Sequence, residues 1–245
     1  MTHEILTKTT KQMNKFLTAL MLLAFAATYA KAQPAPGTTT IYPRLGVNLS
    51  KFAGDEIFTD ASGESVNSKY KFGVVAGAEV EHQFTPYFAA SAGLLYSMQG
   101  TRYDESYVYD PNGSYNLFKD MKYTMHYLNL PILAVFNIGN SGFSAKCGVQ
   151  LGYLLNATSN NYFESGHVID GQRVPNEPGS DGSATVTNVF HKLDFSIPAG
   201  ISYQYKNLTV DLRYNIAITG NVYKYVEDGA KNSCISLILG YGFTL

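Results

Sequence analysis

The sequence predicts an all-β chain: an eight-stranded antiparallel up-and-down transmembrane β-barrel preceded by a cleavable signal peptide. Three observations predict it. Apolar residues recur with period two over eight long segments, which is the mark of strands with two unlike faces. The connections between those segments alternate between tight turns and long loops. The polar faces of the segments are rich in glycine, although a solvated strand gains nothing from it.

The elements follow in order. Lys8, Lys11 and Lys15 precede an apolar run from Phe16 to Ala27, and Ala30-Lys31-Ala32 supplies small residues before a cut at Gln33. That is a secretory signal over residues 1–32, with Met13 a more ordinary start than Met1. A short periplasmic segment, 33–39, leads into the barrel, 40–245. The eight strands are expected at 40–50, 70–84, 87–103, 122–138, 143–156, 190–205, 208–219 and 233–245. In the first, Ile41, Pro43, Leu45, Val47 and Leu49 oppose Tyr42, Arg44, Gly46, Asn48 and Ser50. In the fifth, Phe143, Ala145, Cys147, Val149 and Leu151 oppose Ser144, Lys146, Gly148, Gln150 and Gly152. The fourth is less regular, since Leu133 and Val135 interrupt the face formed by Leu128, Leu130, Ile132, Ala134 and Phe136. Strands this long match or exceed the roughly 9–11 residues needed to cross a bilayer with tilt.

Thr85-Pro86, Gly139 to Gly142 and Lys206-Asn207 read as tight turns. The other four connections, 51–69, 104–121, 157–189 and 220–232, read as long extracellular loops. Both termini then fall on the short-turn, periplasmic side. Cys147 and Cys234 fall on non-neighbouring strands near opposite ends, too far apart for a disulfide.

Composition decides which face meets lipid. Only 15% of the residues are charged, against about 25% in soluble domains. The polar faces carry Arg44, Lys71, Lys146, Lys192 and Arg213 with Glu79, Glu81, Asp194 and Asp211. Cations and anions nearly balance, as they must where charge is buried. The polar faces therefore point inward, form an interior salt-bridge network, and leave no wide pore, since eight strands enclose little more than their own side chains. Aromatic residues gather near the strand ends. Phe84, Tyr87, Phe88, Phe143, Tyr203, Tyr205, Tyr241 and Phe243 are expected to form the periplasmic girdle. Tyr70, Tyr96, Tyr103, Tyr123, Tyr153, Tyr214 and Tyr223 are expected at the other interface.

The chain has a net charge of −1. Removing Lys8, Lys11, Lys15, Lys31 and Glu4 with the signal takes 18 basic and 19 acidic residues to 14 and 18, a net of −4. With no basic block, nucleic acid is excluded as a partner. An apolar content of 45% excludes a disordered chain.

Several stretches carry a family likeness. Ile235 to Leu245, ending in Tyr241, Phe243 and Leu245, is similar to the C-terminal signal read by the barrel-assembly machinery, although the commonest form ends in an aromatic. Arg44-Leu-Gly-Val-Asn-Leu-Ser50, Gly73-Val-Val-Ala-Gly77, Tyr127-Leu-Asn-Leu-Pro-Ile-Leu133 and Gly148-Val-Gln-Leu-Gly-Tyr-Leu-Leu155 resemble the PorT-like outer-membrane β-barrel family of Bacteroidota. The resemblance covers almost the whole mature chain. It implies the bacterial outer membrane as location, and one founding relative belongs to a protein-secretion and gliding machinery.

The expected function is non-enzymatic: a barrel with a charge-paired closed interior that presents its loops for binding or for surface or secretion-related assembly. Its partners would be outer-membrane lipid, the assembly machinery, and a surface or periplasmic protein. Two other readings stand beside it. An enzyme at the extracellular rim would need a Ser and an acid beside His126, His191 or His167, and no spacing announces one. A narrow solute channel would need an open lumen. No cofactor is expected, and no Cys/His cluster has metal-ligand spacing.

Overall fold

The computed structural model describes residues 35–54, 68–110, 112–218, 222–225 and 230–245. The signal segment 1–32 and most of the loop 51–69 lie outside the described residues. Among the described residues twelve strands form one sheet. In chain order they are β1 (Thr39–Ala53), β2 (Ser68–Thr85), β3 (Phe88–Tyr103), β4 (Ser106–Tyr109), β5 (Ser114–Asn137), β6 (Phe143–Ile169), β7 (Gln172–Pro175), β8 (Ser180–Thr185), β9 (Leu193–Tyr205), β10 (Leu208–Ala217), β11 (Lys231–Tyr241) and β12 (Phe243–Thr244).

Eight of these close a barrel, each antiparallel to its neighbours. The circuit runs β1, β2, β3, β5, β6, β9, β10, β11 and back to β1. Closure pairs Arg44 with Gly240 and Leu49 with Ile235. β12 continues the seam, pairing Ile41 with Phe243. Closing the circuit removes the unpaired edges of the membrane-spanning wall, where no water could satisfy them.

The alternation reads as the sequence implies. Leu45, Leu94, Ile132, Val149, Ile201, Leu212 and Leu239 point outward and are exposed. Arg44, Asn48, Glu79, Gln150, Asp211 and Arg213 point inward and are buried. The fourth predicted strand resolves with Leu130, Ile132 and Phe136 outside and Asn129, Leu133 and Val135 inside. Cys147 is exposed on the wall, Cys234 is buried, and both are free thiols.

Two predicted loops are strand instead. β5 begins at Ser114, inside the expected loop 104–121, and β6 runs on to Ile169, deep into 157–189. The β5–β6 hairpin thus continues past the barrel mouth. β4 adds to β5, while β8 and then β7 add to β6. The expectation of structureless loops failed because mixed polar and aromatic residues conceal a pattern that needs no lipid-facing side.

The periplasmic girdle stands as expected. Phe84 stacks near Phe88 at 5.8 Å, Phe143 near Tyr203 at 4.8 Å, and Tyr241 near Phe243 at 5.0 Å between ring centroids. At the other rim Tyr70, Tyr153 and Tyr214 face outward, and the Tyr96 hydroxyl meets His126 Nδ1 at 2.6 Å. Tyr103, Tyr123 and Tyr223 do not join that girdle; they pack on the inside.

Candidate functional site: the lumen and the extracellular sheet

The lumen is built in layers. The lowest is ionic. β1 supplies Arg44, β2 Glu79 and Glu81, β6 Lys146, and β10 Asp211 and Arg213. Arg44 Nε donates to Glu79 Oε2 at 2.9 Å, and Arg213 Nη1 donates to Glu79 Oε1 at 2.9 Å. Arg213 Nη2 donates to Asp211 Oδ2 at 2.9 Å. Lys146 Nζ lies 3.4 Å from Glu81 Oε2 and 3.3 Å from Asp211 Oδ2. The cluster is neutral, and its strands lie on opposing walls, so it struts the barrel across its width. Glycine makes the room. A methyl at Gly240 would stand 2.5 Å from Arg44 Nη1 and 2.6 Å from Thr209 Oγ1, where the Arg44–Thr209 hydrogen bond now lies.

Six of the nine predicted network residues meet here; Lys71, Lys192 and Asp194 do not. Lys71 sits higher, with Nζ 3.4 Å from its neighbour's carbonyl. Asp194 lies at the upper end of β9, opposite Gly152. Lys192 is exposed in the coil before β9. Lys192 precedes β9, which starts at Leu193, so strand alternation does not set its side.

The middle layer is uncharged. Asn48 Nδ2 donates to Ser97 Oγ at 2.8 Å, and Ser236 Oγ donates to Asn48 Oδ1 at 2.8 Å. The top layer is apolar. Phe52, Met125, Tyr127, Leu154, Ala157, Phe190, Val222, Tyr223 and Ala230 form one buried cluster. Phe190, just beyond a 3-10 turn at Thr187–Val189, pairs with Tyr223 in an isolated bridge and is fully buried. Two main-chain bonds hold these loops over the mouth: His191 N donates to the Val222 carbonyl and Lys224 N to that of Val189, each at 2.9 Å. Sequence reasoning missed this plug. Its signal was the apolar pair Val189-Phe190 at the end of a polar stretch.

A water-filled lumen would leave its lining exposed. Arg213, Glu79 and Asp211 are exposed by 2%, 1% and 0%. The lumen is closed at the ionic layer by side chains and at the mouth by the plug.

Above the mouth the sheet of β4, β5, β6, β7 and β8 curls around its own small core. Tyr115 is 1% and Leu117 7% exposed. The Arg173 guanidinium sits 3.8 Å from the Tyr107 ring centroid, and its Nε donates to the Tyr109 hydroxyl at 2.8 Å, so β7 reaches back to β4. Glu164 accepts from the Tyr115 and Tyr162 hydroxyls at 2.9 and 3.0 Å. Its carboxylate helps raise both phenol pKa values, with burial the larger cause at Tyr115. Val168, Ile169 and Val174 remain exposed on this sheet.

Among the described residues neither His126 nor His191 contacts a Ser and an acid; His126 is bonded to Tyr96. No group of three metal-ligating side chains occurs among them.

Comparison with known proteins fixes the family. Residues 31–222 match the model of the outer membrane protein beta-barrel domain. The chain belongs to this family. No curated protein matches it. Among solved structures, this outer-membrane barrel is similar to Ail, the attachment invasion locus protein of Yersinia pestis, in complex with the heparin analogue sucrose octasulfate. That likeness is 14% identical, covers 84% of this chain and 99% of Ail, and has a TM-score of 0.39. Neisserial surface protein A is 13% identical over 86% of this chain and 100% of its own, with a TM-score of 0.39. OprG from Pseudomonas aeruginosa is 11% identical over 86% and 99%, with a TM-score of 0.37. These are likenesses of fold. The barrel resides in the bacterial outer membrane.

Proposed function

We propose that this barrel is a non-enzymatic outer-membrane protein that holds a preformed extracellular sheet for a surface or secretion-related protein partner. The observation that carries the reading is the continuation of β5 and β6 beyond the mouth into a sheet with its own core and three short added strands. Rigid scaffolds carrying exposed binding segments are the common arrangement for recognition. A closed lumen speaks against solute passage, and the Tyr96-bonded His126 speaks against a rim hydrolase.

Two finer statements belong to the same proposal. The Tyr127 to Leu133 element on β5 supports placement in the PorT-like group of Bacteroidota. The lipid-facing Tyr241 and Phe243 beside the terminal Leu245 support handling by the barrel-assembly machinery through the last strand. Deleting residues 160–186 tests the function. The expected result is loss of a specific in-cell crosslinking partner while the barrel still shows heat-modifiable mobility. An unchanged crosslinking pattern would sink the idea.

A further inference from the structure

Three cations stand in lateral register on the outer face of three adjacent strands. Lys69 on β2 pairs directly with Arg102 on β3, and Arg102 pairs directly with Lys122 on β5. Like charges directly opposite one another destabilise a sheet. A fourth cation joins them through a bulge. Lys119 and Lys122 would face opposite sides of a regular strand. Their partners on β6, Tyr162 and Asn160, are two apart and share one face. The extra residue is absorbed beside Asp120, held in the left-handed region at φ 53°. Bulges re-aim side chains, and this one turns Lys119 to the side of Lys122.

Nearby acids do not cancel the row. Asp104 is ion-paired with Lys69. Glu105 is engaged by the Tyr107 hydroxyl. Asp120 and Asp181 line the same cavity, of about 620 Å³, yet neither lies within ion-pair distance of Arg102, Lys119 or Lys122. Those three side chains have no carboxylate partner among the described residues.

Height identifies the ligand. With a rise of about 3.3 Å per residue and a tilt of about 40°, Arg102 stands about 35 Å above Phe88 in the periplasmic girdle. The apolar band of such a barrel is about 25 Å tall. The row therefore sits above the Tyr96–His126 pair, at the depth of the outer-leaflet headgroups. There Arg102, Lys119 and Lys122, exposed and without carboxylate partners among the described residues, meet phosphate, which Arg binds in bidentate fashion and Lys as a point charge.

We propose that Arg102, Lys119 and Lys122 form a binding site for the phosphate groups of an outer-leaflet lipid. The test is native mass spectrometry of the full chain folded in detergent, with added diphosphorylated lipid A, its dephosphorylated form, and inorganic phosphate as competitor. Lipid A should be retained about tenfold better than the dephosphorylated form, and millimolar phosphate should not displace it. Arg102→Glu with Lys122→Glu should lose that preference while keeping heat-modifiable mobility. If the charge-reversed protein does not fold, Arg102→Gln with Lys122→Gln should show the same loss. Equal retention of the two lipids, or unchanged retention by a folded variant, overturns the proposal. Full displacement by phosphate overturns it too, and makes this a site for free anions.

Discussion

At the level of Arg44 the barrel encloses three cations and three anions; at the level of Phe52, further along the same strand, it encloses aromatic rings. The two layers answer to different surroundings. Where lipid covers the wall, the outward face must be apolar, so the inward face is left polar and must satisfy itself. Where the wall rises out of the bilayer, water covers it, and the inside returns to the apolar packing of a soluble core. The sheet above the mouth buries Tyr115 and Leu117 on the face that carries Lys119, so its small core is separate from the lumen. Polarity of the lumen thus follows what lies outside at each height.

The contrast can be broken at either layer. Glu79→Ala should cost the most, about 3–5 kcal/mol, because it strands Arg44 as a buried, unpaired charge and leaves Arg213 with Asp211 alone. Urea unfolding in detergent micelles would measure it, and a loss under about 1 kcal/mol would show that the ionic layer is not cooperative. Phe190→Ala should cost about 3 kcal/mol, the toll of an emptied aromatic site. It removes the centre of the plug but leaves the ionic layer, so planar-bilayer conductance should stay at background. Current through the Phe190→Ala barrel would mean that the plug alone closes the lumen. Gly240→Ala should cost about 1–3 kcal/mol by overpacking, since the new methyl meets the Arg44 guanidinium and the Thr209 hydroxyl. The same measurement checks it, and Arg44→Ala in the Gly240→Ala background should remove the steric part.

Most of the wall was legible because lipid imposes one rule on every outward residue. Period two located Leu45, Leu94, Leu212 and Leu239 outside and Glu79, Lys146 and Arg213 inside, whatever their partners. The mouth was not legible, because the rule changes there without any change in periodicity. Tyr103, Tyr123 and Tyr223 sit at the correct height for a girdle, but they turn inward: Tyr123 and Tyr223 pack against Phe52 and Phe190, and Tyr103 packs on Tyr123. Bulges add to the difficulty. Between His126 and Tyr127 the partner strand gains Leu155, so Leu154 and Ala157 both face inward although their spacing forbids it in a regular strand. The basic row near Lys122 was hidden in the same way, because Lys119 joins it only through a bulge.

Lys192 marks the boundary of the rule and gives the smallest expected effect. Had it been a member of the ionic layer, its loss would leave a carboxylate unpaired and cost several kcal/mol. Placed in exposed coil before Leu193, it has no buried partner to abandon. Lys192→Ala should therefore change unfolding in detergent by no more than about 0.5 kcal/mol. Lys146→Ala, one charge removed in the same manner from β6, should be destabilising on the scale of Glu79→Ala, because Glu81 and Asp211 both rely on its ammonium. If the two lysine variants behaved alike, the ionic layer would extend to the top of β9, and the division of the lumen by height would have to be redrawn.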